Sequence, residues 1–154
     1  MSLVPCPTGS PVAPSRKTYK NDVLIVDDNF YNLTAIINMM SRFNLKADTA
    51  MDGDEAVQLI RDRIESEHTT YKLIMMDYAM PNCNGGEATK QIRLLLFSKA
   101  PTLEQPFICC LTSYAERSYQ ALALDAGMNG FLTKPVFQRG IKSLLIKANI
   151  IKTE

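Results

Sequence analysis

From residue 22 onward, short apolar runs alternate with longer stretches in which apolar residues recur every three or four positions. The runs DVLIV, LKADTA, YKLIMM, PFICCL and GFL read as strands at 22–26, 45–50, 71–76, 106–111 and 130–132. The stretches between and after them read as helices near 30–43, 53–66, 86–96, 115–126 and 137–148. Gly127 falls where the fourth helix needs a left-handed C-cap. Strict alternation of strand and helix predicts a parallel sheet with helices on both faces.

Strands one, three and four are almost wholly apolar, as strands buried on both faces must be, whereas the second alternates Leu45, Ala47 and Thr49 with Lys46 and Asp48. The second strand therefore belongs at an edge. This fits a flavodoxin-like (βα)5 three-layer sandwich of strand order 2-1-3-4-5, in which ligands bind at the carboxyl ends of the strands, around the switch point between strands one and three.

Residues 1–20 carry Pro5, Pro7, Pro11 and Pro14 among serines and show no apolar period. They read as a disordered linker, or in part an expression leader, ahead of a domain at 21–150 and a short tail at 151–154. The 154 residues suit one compact domain, and a net charge of +1 leaves no electrostatic footprint for nucleic acid or anionic lipid. No apolar run approaches the roughly 20 residues that span a bilayer. Cys6, Cys83, Cys109 and Cys110 lack CxxC spacing, and the adjacent pair would face opposite sides of a strand. Reduced thiols in a cytoplasmic protein are expected.

The strand ends carry the chemistry. Strand one runs into Asp27 and Asp28, strand three into Asp77, strand four into Thr112 and Ser113, and strand five into Thr133, Lys134 and Pro135. Polar residues at strand ends commonly just meet water. Three carboxylates gathered at about 4 Å, however, repel by roughly 4 kcal/mol per pair at an effective dielectric near 20, so a cation is needed among them. Lys134 supplies one charge, and an all-oxygen site suits Mg²⁺ better than zinc. His68 lies in a charged stretch and reads as a solvated loop residue. With metal, ammonium and the Thr112 hydroxyl, this edge could hold a phosphoryl group. No GxxxxGK[ST] loop or GxGxxG is present to bind a nucleotide.

The runs Val26-Asp27-Asp28-Asn29 with Asn32, Met76-Asp77-Tyr78-Ala79-Met80-Pro81, Leu111-Thr112-Ser113 and Gly127 through Pro135 resemble a two-component receiver domain. The likeness covers residues 22 to about 150 and is greatest to the receivers of hybrid histidine kinases. It implies that Asp77 is the phosphoacceptor, that Asp28 binds Mg²⁺ directly, and that the Ala79 carbonyl is a further ligand. It also implies that Asp27 reaches the metal through water, that Thr112 is the switch hydroxyl, that Lys134 binds the phosphoryl group, and that Phe131 is the aromatic rotamer switch. A cis peptide at Lys134-Pro135 is expected on the same ground. Asn82-Cys83-Asn84-Gly85 and Ser113 depart from the family pattern, the first putting a turn geometry in question. Extra residues near 61–70 and 97–105 lengthen two connections. Ala79 and Tyr114, which flank the attacking water, predict a long-lived acyl phosphate.

The expected function is acceptance of a phosphoryl group from a histidine kinase or a histidine phosphotransfer protein, followed by a change of shape. Two other readings compete. A small Mg²⁺-dependent phosphatase or phosphotransferase would carry a second acid where Ala79 stands, and a degenerate receiver would have lost some of the acidic pair, Asp77, Thr112 or Lys134. On a helical wheel the first helix buries Asn32, Ile36, Met39, Met40 and Phe43, leaving Phe30, Leu33 and Ile37 on a flank as a partner surface.

Overall fold

The computed structural model describes residues 21–113 and 117–153; Cys6, Tyr114 and the first two residues of the expected fourth helix lie outside them. The chain alternates β1 (Val23–Val26), α1 (Phe30–Ser41), β2 (Asp48–Ala50), α2 (Gly53–Glu67) and β3 (Leu73–Asp77). It continues through α3 (Gly85–Lys99), β4 (Phe107–Thr112), α4 (Arg117–Ala126), β5 (Gly130–Thr133) and α5 (Gln138–Lys147). The strands form one parallel sheet in the order β2-β1-β3-β4-β5, as expected for the flavodoxin-like sandwich.

Successive residues of the central strands face opposite layers, because the strand period is two. Leu24, Val26, Ile74, Met76, Ile108 and Cys110 join the core under α2, α3 and α4. Val23, Ile25, Leu73, Met75, Cys109 and Leu111 join the core under α1 and α5. The two adjacent cysteines are thus split between the layers, and Cys83, Cys109 and Cys110 are free and buried.

Asn29, Asp52 and Asn84 cap α1, α2 and α3 at the carboxyl edge of the sheet, each side chain accepting hydrogen bonds from first-turn amides. Gly127, at φ 103°, ends α4: its amide donates to the Leu124 carbonyl and that of Met128 to the Ala123 carbonyl. These two bonds make a Schellman turn, which the Cβ of another residue would strain. Only Ala123 and Ala126 of α4 are buried, both in its second half.

Several boundaries moved for physical reasons. β2 begins at Asp48 because its register pairs Asp48 with Leu24, so residues 45–47 have little of β1 left to pair with. β3 and β4 extend to Asp77 and Thr112, since Asp77 pairs with Leu111 across the ladder. The extra residues lengthen helices as well as loops: α2 runs to Glu67 and α3 to Lys99. No helix among the described residues is long and apolar enough to cross a membrane.

Candidate functional site

Asp27 leaves β1 fully buried, and its carboxylate is surrounded by donors. Oδ1 accepts from the Asn29 amide at 2.9 Å; Oδ2 accepts from Asn32 Nδ2 at 3.2 Å and from Lys134 Nζ at 2.9 Å. Asn29 has two tasks, since its own side chain caps α1. The spacing Asp27, Asn29, Asn32 therefore encodes one local unit, in which the turn into α1 satisfies an anion that burial alone would make costly. Asp28, the next residue, is exposed.

Asp77 ends β3, and Lys134 arrives from the far side of the sheet. The Lys134 amide donates to the Thr112 carbonyl at 2.8 Å, which registers the lysine against β4, and the Lys134-Pro135 peptide is cis. Lys134 Nζ then lies 2.9 Å from Asp27 Oδ2 and 3.2 Å from Asp77 Oδ1. Carboxylate oxygens of Asp27, Asp28 and Asp77 lie within 4.8 Å of one another. One ammonium among three carboxylates leaves an excess of negative charge. Burial, and then the facing Asp27 carboxylate, push the Asp77 carboxyl up to about 6, against the pull of Lys134. Burial works to lower the Lys134 ammonium, but Asp27 and Asp77 more than offset it and hold it above its ordinary value.

The other residues singled out from the sequence fall into three groups. Thr112 is buried at the end of β4, one register position beyond the Asp77–Leu111 pair. Phe131 is half-buried on β5, opposite Cys110, and packs on the core under α3 and α4. Ala79 is exposed two residues past Asp77. The expected partner surface needs a correction. Leu33 is 4% exposed and joins Ile36, Met40, Ile141 and Leu144 in the core between α1, α5 and the sheet. It sits about 60° from Ile36, within the apolar arc of roughly 100° or more that a core-facing helix buries. Phe30 and Ile37 remain exposed, at 66% and 38%.

Several contributors were not singled out from the sequence. The departure at residues 82–85 has a structural purpose: Asn84 accepts from the Glu87 amide at 2.8 Å, and Gly85 sits so close that a Cβ there would overlap the Asp77 carbonyl oxygen. Asn84 followed by Glu87 is a capping spacing legible in the sequence. Phe137, 62% exposed just before α5, carried no such signal.

The donor set fits a hard divalent cation. All its ionic ligands are oxygens, and no histidine or thiol belongs to the cluster. Because both Asp27 oxygens already accept hydrogen bonds, Asp28 and Asp77 hold the freer lone pairs.

Residues 23–146 match the family described as response regulator receiver domain. The osmosensing histidine protein kinase SLN1 of Saccharomyces cerevisiae is 34% identical over 124 residues, which are 80% of this chain and 10% of that protein. Two-component response regulator 24 of Arabidopsis thaliana is 31% identical over 136 residues, covering 88% of this chain and 89% of the relative. The chain thus spans a tenth or less of the histidine kinases SLN1, histidine protein kinase 1 of Candida albicans and hybrid kinase M of Dictyostelium discoideum. Among solved structures, the receiver domain of Saccharomyces cerevisiae Ssk1, crystallised with the histidine phosphotransfer protein Ypd1, superposes with a TM-score of 0.70 at 29% identity, covering 84% of this chain and 92% of that one. The receiver domain of the Arabidopsis thaliana histidine kinase CKI1, complexed with Mg²⁺ and BeF₃⁻, gives 0.69 at 26% identity, covering 82% and 88%. The match over most of its length and the acidic edge it shares with no nucleotide-binding loop lead to one placement: this chain belongs to the response regulator receiver domain family.

Proposed function

We propose that this domain takes a phosphoryl group from a phosphohistidine onto Asp77 in a two-component phosphorelay. The observation that carries this reading is the placement of Asp77 3.2 Å from the Lys134 ammonium, with the Asp27 and Asp28 carboxylates in reach of the same centre. An Asp77 oxygen attacks phosphorus in line; the bond from phosphorus to the imidazole nitrogen breaks, and its electron pair stays with the imidazole. Lys134 offsets the charge on the phosphoryl oxygens, and the Thr112 hydroxyl donates to one of them. Mg²⁺, held by Asp28, Asp77 and the Ala79 carbonyl, with Asp27 acting through water, would supply the further positive charge the transfer needs. In the metal-free protein the raised Asp77 carboxyl is still mostly ionised near neutral pH, so it is ready to take up Mg²⁺. Ala79 offers no side-chain acid, which weighs against a phosphatase that hydrolyses its own intermediate with a positioned second carboxyl group.

Thr112 and Phe131 are assigned the switch, Thr112 turning toward the phosphoryl group and Phe131 filling the space it leaves. The donor is a histidine kinase or a histidine phosphotransfer protein, and the domain works in the cytoplasm. It docks on the exposed aromatic and aliphatic side chains beside the site: Phe30 and Tyr31 at the start of α1, Ile37 further along it, and Phe137. Gln138 Nε2 donates to the Met39 carbonyl, tying the start of α5 to the second half of α1.

Intact-mass measurement after treatment with acetyl phosphate and Mg²⁺ tests the assignment. The parent protein should gain one phosphoryl group and Asp77→Asn none. Equal labelling of both would overturn it.

A further inference from the structure

At the opposite, amino edge of the sheet lies a cleft of about 620 Å³, within the range of small-molecule sites. The connection before β3, the α3–β4 connection, the turn after α4 and the end of α5 line it. Arg93 ties two of those walls together. Its Nε and one Nη donate to the Gly127 carbonyl at 3.0 and 2.8 Å, and the same Nη reaches Asn129 Oδ1 at 2.7 Å. The other Nη donates to the Pro106 carbonyl at 2.8 Å and to Gln105 Oε1 at 3.0 Å. All five guanidinium N–H groups are thus committed to the walls, so the cleft is held in shape before anything enters it.

The lining combines an apolar floor with uncommitted donors. Leu103, Pro106 and Phe107 supply the apolar surface. Lys72 and Lys147 also line the cleft, against a single lining acid, Glu104. Lys72 is only loosely paired, 3.8 Å from an exposed Asp22. Arg93 has no N–H left for a ligand, and Lys72 and Lys147 set against Glu104 leave the rest of the lining one net positive charge, which matches a singly charged carboxylate.

We propose that this cleft binds a small carboxylate carried on an apolar body, the carboxylate held by Lys72 and Lys147 and the body laid on Leu103 and Phe107. The site is separate from Asp77, at the other end of the same strand.

Two-dimensional amide NMR of the whole chain, titrated with naphthalene-2-carboxylate, tests this. Saturable shifts at Thr70, Lys72, Phe107 and Lys147 are expected, with a dissociation constant at or below about 1 mM. Naphthalene-2-carboxamide should bind about tenfold more weakly, as should the carboxylate to Lys72→Gln or Lys147→Gln, both exposed positions. Labelling of Asp77 by acetyl phosphate should be unchanged in both variants, which keeps this result separate from the function of the acidic edge. The proposal is overturned if the carboxamide binds as tightly, if the shifts do not saturate or gather at Lys134, if both variants bind like the parent, or if naphthyl phosphate or an acidic peptide binds more tightly than the carboxylate.

Discussion

Replacing Asp77 by asparagine should stabilise the metal-free protein while abolishing its proposed function. The Asp77 carboxyl is raised from 3.8 to about 6 by burial and by Asp27. The folded state therefore binds its proton more tightly than the unfolded chain does. For a carboxyl raised in this way, folding carries no penalty below the unfolded value; the penalty accumulates as pH rises through the folded value and is complete above it. At ~1.4 kcal/mol per pH unit, the full penalty is about 1–3 kcal/mol at pH 7.5, after allowance for the contact with Lys134 that asparagine weakens. In thermal terms this is about 4–10 °C for a domain of this size. Urea unfolding of both proteins in EDTA, at steps from pH 4 to 7.5, checks the sign and the window. Asp77→Asn should be the more stable at pH 7.5, and the gap should close as pH falls from about 6 toward 4. Adding Mg²⁺ should stabilise the parent more than the variant and narrow the gap. A variant no more stable at pH 7.5, or a gap indifferent to pH, would refute the electrostatic account of the site.

Three other outcomes are expected. By calorimetric titration, Asp28→Ala should lose more Mg²⁺ affinity than Asp27→Ala, whereas Asp27→Ala should lose more stability, about 3 kcal/mol, because it strips Lys134 of its closer partner and Asn32 of its acceptor. Ile37→Glu or Phe137→Glu should slow phosphotransfer from a histidine phosphotransfer protein about tenfold with acetyl phosphate labelling unchanged, as read by radiolabel transfer, while Leu33→Glu should fail to fold by circular dichroism. Gly85→Ala should cost about 2–4 kcal/mol in urea unfolding, since its Cβ meets backbone at Asp77, whereas Gly86→Ala, which meets the movable Tyr78 hydroxyl at 3.1 Å, should stay within about 1 kcal/mol.

The carboxyl-edge chemistry was legible because each strand of this fold delivers its next residue to one edge, so five apolar runs locate Asp27, Asp28, Asp77, Thr112 and Lys134 together without knowledge of a single contact. Periodicity was a poorer guide wherever burial does not reach. The last turn of α3 carries Phe97 into solvent, and its end at Lys99 left no apolar signal to follow. Leu33 shows the limit of a helical wheel: it gives angles between side chains but not the breadth of the cover, and here α5 closes over the flank that a narrower stripe would leave open. The amino-edge cleft could not be read at all, because residues from three separate connections and the end of α5 meet there only after folding.

The shallow seating of α4 has a kinetic consequence. A helix whose buried residues are two alanines in its second half, locked at its end by the Gly127 turn and held in its first half by the Tyr119 ring edge-on to Tyr78, can open its first turn while giving up little buried surface. Amide hydrogens at the start of α4 should therefore exchange with deuterium through a local opening of low free energy, long before those of β3 or of the second half of α3, which exchange only when the molecule unfolds as a whole. That end opens the next described helix after β4, which Thr112 closes, so the element with little to lose by opening comes next in the chain after the proposed switch hydroxyl.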